Sequence, residues 1–388
     1  MLHLIRNAHI HSPKDIGPGH ILIADERIAY IGSKEPELDK ALLATDVDLA
    51  GQRLAPGLID AHTHTTGGGG EAGFATRVPA VPLSEFTSAG VTSVVGLLGT
   101  DDTVRSTSSL IAQTYALREE GLNAWCYTGG YHYPLTTLTG SVRSDIIHIE
   151  CVIGVGELAI SDHRSSQPQF DEIIRVASDA HVAGLMTGKA GIVHFHLGDG
   201  ERGLSLIERA IKETELPARI FNPTHVNRQK ELFEEACALT SSGCCIDITA
   251  FPRDDSGSSW TASEAWQHYR ERNCPADKIT ISSDGGGCLP TFNKDGEIDG
   301  LDFARSKAMS DCLQELLSLD HQLEDILPAM TSNPANLLKL AGKGQITKGS
   351  DADFFVLDDE NNISDVMVRG TWHIRNREIL KRGQFESN

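Results

Sequence analysis

Nowhere in this chain does an apolar run approach the ~18 residues that a membrane-spanning helix requires, so no such span is expected. The 8 cysteines include the adjacent pair Cys244 and Cys245 but no Cys-x-x-Cys spacing. Neither a disulfide framework nor a thiolate zinc site is indicated, and buried reduced thiols are the default. Dense basic runs are also missing: 34 Lys and Arg stand against 54 Asp and Glu, for a net charge of −20. Nucleic acid and anionic membrane are therefore poor partners, and an anionic ligand needs arginines placed locally. The opening MLHLIRNAHIHSP lacks the apolar segment of a secretory signal, which makes the cytoplasm the expected location. What remains is ordinary globular material, 388 residues with 40% hydrophobic and 23% charged content, enough for one large domain and a smaller one.

The most informative segment is PGLIDAHTH, where a short apolar run delivers His62 and His64 to one end of an expected strand. Alternate strand residues face the same way, so the two imidazoles begin a plausible metal site. Other apolar, β-branched-rich runs also end in a ligand-type residue: Glu157 in VIGVGELAI, His196 in GIVHFHLGD, His225 in RIFNPTHVN and Asp284 in ITISSDGGG. Four histidines and two carboxylates suit two divalent ions, with one carboxylate bridging them and positions left for a bridging hydroxide. Asp284 is placed to take the hydroxide's proton and return it to a leaving amine. His194 shares a strand face with His196, but His196 lies nearer the strand end; His132, His163, His181 and His194 are expected to stand behind the ligands or to be structural rather than to bind metal.

Between about residues 90 and 286 such runs alternate with amphipathic stretches at 103–121, 169–185, 201–214, 228–242 and 262–274. Counting the first strand gives about eight strand–helix units, the number that closes a parallel (β/α)8 TIM-type barrel. An open doubly wound sheet is the competing α/β solution. Only a closed ring brings the ligands of the first and last units together, so an α/β TIM-type barrel over 54–344 is expected. Residues 1–53 and 345–388 hold short β-type pieces that together suit one small β-sandwich domain built from both chain ends. The tetraglycine Gly67 to Gly70, directly after the His pair, is either a loose turn or backbone N–H groups brought close to a ligand.

The strings HTHTTGGGGEAGFATR, VTSVVGLLGTD, TGGYHYP, LTGSV, AISDHRS, PTHVNR and SSDGGG, with the ending GKGQITKGSDADFFVLD, run through nearly the whole chain. In them the sequence resembles the amidohydrolase superfamily and, more narrowly, the isoaspartyl (β-aspartyl) dipeptidase family. The resemblance implies a metal-dependent hydrolase holding two divalent ions, expected to be Zn2+, a small-molecule isoaspartyl dipeptide as substrate, and a homo-oligomer, an octamer in that family. It places His62 and His64 with Asp284 on the first metal and His196 and His225 on the second. Glu71 then holds the substrate's α-amino group beside Gly69 and Gly70, Tyr131 polarises the scissile carbonyl, Arg164 and Arg228 clamp carboxylates, and Thr100 adds a polar contact. Each of these has a structural alternative: Tyr131 as barrel-mouth packing, Arg164 as the partner of Asp162, Arg228 as the solvated start of a helix, Glu71 as a turn cap.

Two positions depart from the family pattern. Where it carries a carboxylated lysine bridging the metals, this chain offers Glu157, whose shorter reach requires the backbone to approach, with Gly156 suited to a bulge; Lys189 is the nearest alternative lysine in sequence. Where it carries a pocket serine, four residues after the catalytic aspartate, this chain has Cys288. Rival readings are a cyclic-amide hydrolase or deacetylase of the same superfamily, against which Glu71 and the paired arginines argue, and a non-catalytic scaffold, against which the intact ligand set argues.

Overall fold

The computed structural model describes residues 1–252, 257–292 and 297–387. The chain begins with β1 (Leu2–Ser12), β2 (Lys14–Ala24), β3 (Arg27–Gly32), β4 (Leu43–Asp48) and β5 (Arg53–Pro56). There follow β6 (Leu58–Thr63), α1 (Leu83–Ser88), β7 (Val91–Gly96), α2 (Thr107–Glu119), β8 (Asn123–Thr128), α3 (Val142–His148), β9 (Val152–Ile160), α4 (Phe170–Thr187) and β10 (Val193–Leu197). The alternation continues through α5 (Ser205–Glu213), β11 (Phe221–Thr224), α6 (Lys230–Thr240), β12 (Ile246–Thr249), α7 (Ala262–Glu271) and β13 (Ile279–Ser282). A hairpin of β14 (Cys288–Phe292) and β15 (Ile298–Phe303) precedes α8 (Lys307–Ser318), α9 (Leu323–Met330) and α10 (Ser332–Leu337). The last strands are β16 (Phe354–Leu357), β17 (Ile363–Val368), β18 (Thr371–Arg375) and β19 (Glu378–Ile379).

Strands β6 to β11 form one six-stranded parallel sheet in chain order, and β12 pairs with β13 in a second parallel ladder. Most of their residues are buried on both faces, as parallel strands flanked by helices require. Polar side chains span the two seams between the ladders. Asp247 on β12 accepts hydrogen bonds from Thr224 of β11 (2.7 Å) and from Thr280 (2.5 Å) and Ser282 (2.6 Å) of β13. At the other seam Asp60 accepts from Ser283 N–H (3.1 Å) and its hydroxyl, while His64 N–H donates to Gly285 C=O (2.8 Å). The polar pins bring β6 and β13 side by side, so the first and last ligand-bearing strands are neighbours.

The chain ends meet in one nine-stranded sheet, with the path β19-β18-β17-β16-β5-β1-β2-β3 and β4 paired to β1. Hydrogen bonding joins these strands into one sheet through β1, which pairs with β2, β4 and β5. The period-2 alternation then sorts the core: Phe354 and Val356 of β16 pack with Ile5, Ile10, Ile21 and Ile23, while Phe355 and Leu357 join the large cluster under the parallel strands. Lys343 pins the sheet domain to the start of β8. Its buried ammonium donates to Asn123 Oδ1 (2.7 Å) and Asp353 Oδ2 (2.6 Å) and lies 2.8 Å from Asp351. Among the described residues no helix is long and apolar enough to cross a membrane.

Candidate active site

The six predicted ligands converge at the C-terminal ends of β6, β9, β10, β11 and β13, all of them buried. His62 Nε2 and His64 Nε2 lie 3.2 and 3.0 Å from Asp284 Oδ1, and 3.7 and 3.5 Å from the Glu157 carboxylate. From the other side His196 Nδ1 (3.0 Å) and His225 Nε2 (3.5 Å) approach Glu157 Oε2. Glu157 thus stands between two histidine pairs. The backbone delivers it by a local irregularity: Val155 pairs with Val193 but Leu158 with Phe195, so β9 carries one extra residue at Gly156–Glu157. A Cβ at Gly156 would sit 2.8 Å from His194 Cβ, so only glycine permits that approach.

A buried relay sets the tautomer of His62. Asn222 Nδ2 donates to Cys245 C=O (2.7 Å), which turns Asn222 Oδ1 toward His194 Nδ1 (2.6 Å). Facing an acceptor, His194 Nδ1 must carry its proton, and burial, with the field of His62, pushes the pKa of His194 down to about 3. Neutral His194 therefore presents a bare Nε2 to His62 Nδ1 at 2.8 Å, and His62 must donate there. Its Nε2 is left to face Glu157 and Asp284. This is the outer-sphere arrangement that orients a metal-binding imidazole.

The donor set fits divalent ions. His62 Nε2 and Asp284 Oδ1 are buried and close, yet neither has a well-directed hydrogen-bond partner among the described residues. They are aimed at common points rather than at each other. His62, His64 and Asp284 form one compact group of donors, and His62, Glu157 and His225 another. Burial opposes charge on all of them, but the imidazoles hold Glu157 and Asp284 well below the usual carboxylate range, and those carboxylates raise His62 to about 9. A cation is what such a site is built to accept. Lys189 is not at hand to bridge: it precedes β10, at the opposite strand end, and its ammonium donates to Ile146 and Ile149 carbonyls (2.6 Å each).

The remaining predicted residues lie around this cluster. Tyr131 Oη is 2.6 Å from His196 Nε2 and receives a hydrogen bond from Arg164 Nη2 (3.1 Å). Burial raises the Tyr131 phenol far above its ordinary value, so it remains a proton donor. Arg164 Nη1 lies 3.7 Å from Glu71 Oε1, which also accepts from Thr100 (2.7 Å). Arg228 Nη1 reaches His196 Nε2 at 3.4 Å. A Cβ on Gly69 would lie 3.6 Å from Cys288 Sγ, placing that thiol against the glycine loop that includes Gly70. Burial, with the nearby charge of Glu71, lifts Cys288 to about 11, so it is neutral.

Three contributors lie beyond the predicted site residues, Asp162 having been read only as a structural partner of Arg164. Asp162 links the site internally, accepting from Arg164 Nη2 (2.8 Å) and lying 3.0 Å from His196 Nε2; Arg164 is thus both its partner and a pocket residue. Arg105 is buried and donates to the carbonyls of Thr66 (3.2 Å), Gly69 (3.4 Å) and Val78 (2.9 Å), fixing the tetraglycine's shape. Asn222 starts the relay. Asp162 sits inside the AISDHRS string, but nothing local marks the other two.

Residues 53–373 match the amidohydrolase family. The chain is 40% identical, over 100% of both chains and with a TM-score of 0.93, to the β-aspartyl dipeptidase of Fervidobacterium islandicum AW-1 solved in complex with β-Asp-Leu dipeptide. It shares only the fold with the dihydropyrimidinase of Brevibacillus agri NCHU1002, at 17% identity, TM-score 0.67, and coverage of 99% and 97%. Among curated proteins, imidazolonepropionase of Fusobacterium nucleatum is 38% identical over 92 residues, which span 23% of this chain and 21% of that enzyme. With the family match extending over most of its length and a full-length relative at 40% identity, the chain belongs to the amidohydrolase family and is a metal-dependent hydrolase.

Proposed function

We propose that this enzyme hydrolyses β-aspartyl (isoaspartyl) dipeptides at a dinuclear zinc centre in the mouth of a closed (β/α)8 barrel. The barrel spans 54–344, and 1–53 with 345–388 supply the flanking β domain. The observation that carries the reading is the pairing of Glu71 with Arg164, 3.7 Å apart at the mouth of a histidine–carboxylate site, in a chain this similar to a protein solved with β-Asp-Leu. A zwitterionic substrate with an extra carboxylate needs both charges.

His62 and His64 with Asp284 would hold one ion and His196 with His225 the other, with Glu157 standing between the two histidine pairs. When bound, such ions polarise a carbonyl and bring the pKa of water toward neutrality. The chain's residues do the rest. Glu71, oriented by Thr100 and flanked by Gly69 and Gly70, receives the substrate ammonium. Arg164 and Arg228 bind carboxylates through planar forks, and Cys288 packs beside the glycine loop. Tyr131 donates its hydroxyl proton in a hydrogen bond to the scissile carbonyl oxygen as negative charge grows there. Asp284 accepts a proton from the attacking water and passes it to the leaving nitrogen as the C–N bond breaks. The same reading has the enzyme acting in the cytoplasm as a homo-oligomer.

The test is an assay of zinc-loaded protein against β-Asp-Leu, α-Asp-Leu, dihydroorotate and an N-acetylated sugar. Turnover of β-Asp-Leu is expected, and turnover confined to either of the last two overturns the reading.

A further inference from the structure

Besides His62–His64 and His194–His196 the chain carries a third His-x-His, His9 and His11 on β1, in the nine-stranded sheet rather than among the parallel strands that bear the predicted ligands. Two-residue spacing puts both imidazoles on one face of the strand, and their rings stack, with centroids 5.2 Å apart and planes at 27°. The β1–β2 hairpin brings Asp15 opposite His11, with a register irregularity between Ile10 and His11. Asp15 Oδ1 lies 2.8 Å from His9 Nε2. One donor atom from each of His9, His11 and Asp15 falls within 4.8 Å of the others.

The decisive observation concerns His11. It is only 6% exposed, and among the described residues neither of its ring nitrogens has a hydrogen-bond partner. Buried imidazoles ordinarily satisfy at least one nitrogen, since an unsatisfied buried polar atom costs about 1–3 kcal/mol. His9 and Asp15 are partly open, with side chains 36% and 44% exposed, so a bound ion retains positions for water. A fourth donor is close by: Glu324, in the first turn of α9, accepts the Asp15 N–H at 3.0 Å through Oε2.

We propose that His9, His11 and Asp15 form a further divalent-metal site, distinct from the catalytic centre, which takes a borderline transition-metal ion such as Zn2+ and braces the β1–β2 hairpin. Two imidazoles and a carboxylate are a recognised donor set for such ions, which form bonds of ~2.0–2.2 Å and so need donors spaced much as these are after small ring rotations. All three ligands lie on one hairpin, so an ion here joins β1 to β2 beside the Asp15 N–H to Glu324 hydrogen bond.

The test is metal content per chain of the full-length enzyme after equilibration with buffered free Zn2+, for wild type, His9→Ala/His11→Ala and the milder Asp15→Asn. Wild type is expected to hold one equivalent more than either variant, to gain thermal stability with added Zn2+ to a degree that the variants do not, and to match them in hydrolytic activity. Equal metal content in wild type and Asp15→Asn, with no difference in zinc-dependent stabilisation, overturns the proposal. Should the double variant fold poorly, the Asp15→Asn comparison decides. The metal count does not depend on which substrate the enzyme cleaves.

Discussion

His194 Nε2 stands 2.8 Å from His62 Nδ1, and both rings are fully buried. One imidazole thereby dictates the protonation of another, and Asn222 dictates both. Asn222→Leu removes the acceptor that holds the His194 proton on Nδ1, so both tautomers become available. Metal affinity is expected to fall ~10–100-fold, the usual effect of losing an outer-sphere partner. Competition with a chelator measures it; an unchanged affinity would show that the relay does not orient His62.

The same relay makes a pH prediction. Burial holds His194 near a pKa of about 3, against 6.5 when unfolded. A depressed pKa means that the unfolded chain binds the extra proton first, so stability is fully present above pH ~6.5 and is lost as pH falls toward 3. The slope reaches about 1.4 kcal/mol per pH unit for one proton. Unfolding midpoints of wild type and His194→Asn, measured between pH 7 and 4 with metal content recorded, are expected to differ in slope on the acid side; parallel curves would contradict the assignment.

Proton transfer is tested at Asp284. Asp284→Asn is expected to keep the fold and lose at least the ~10²–10⁴ in turnover that general acid–base help supplies. Metal content separates the loss of a ligand from the loss of the proton shuttle. Near-normal kcat would remove Asp284 from the chemistry.

At the mouth, Arg228→Lys keeps a charge but not the fork, and a raised KM with lowered kcat/KM on isoaspartyl dipeptides is the expected outcome. Cys288→Ser is expected to be mild, since the thiol is neutral and packs against Gly69. Abolished turnover in that variant would mean that the thiol acts directly.

The ligands were legible because a strand end is a local event: an apolar run and the residue that closes it are adjacent in sequence, as in His62, His196 and Asp284. The helices α1 and α3, at 6 and 7 residues, are too short to display a 3.6 period, and the β14–β15 hairpin falls outside the strand–helix alternation. Asp60 and Ser283 meet across 223 positions, and Asn222 and Cys245 across 23. Such pairs exist only once the strands are in place, so no reading of either residue alone announces the seam or the relay. His9 and His11 repeat the pattern of His62 and His64, and only the unsatisfied burial of His11 sets them apart from an ordinary strand pair.

The bridge offers the sharpest test. A carboxylated lysine and a glutamate present the same singly charged carboxylate, but glutamate's sits three atoms nearer the backbone. The extra residue in β9 at Gly156–Glu157 moves the chain inward, and the Glu157 oxygens lie 3.0–3.7 Å from all four histidines. Glutamate needs no carbon dioxide to become a carboxylate, so metal-stripped protein given Zn2+ in bicarbonate-depleted buffer is expected to recover the same metal content and activity as with bicarbonate added. Glu157→Ala is expected to lose at least one metal ion and nearly all activity, and bicarbonate is not expected to rescue it. A bicarbonate requirement in wild type, or full occupancy and activity in Glu157→Ala, would place the bridging group on another residue.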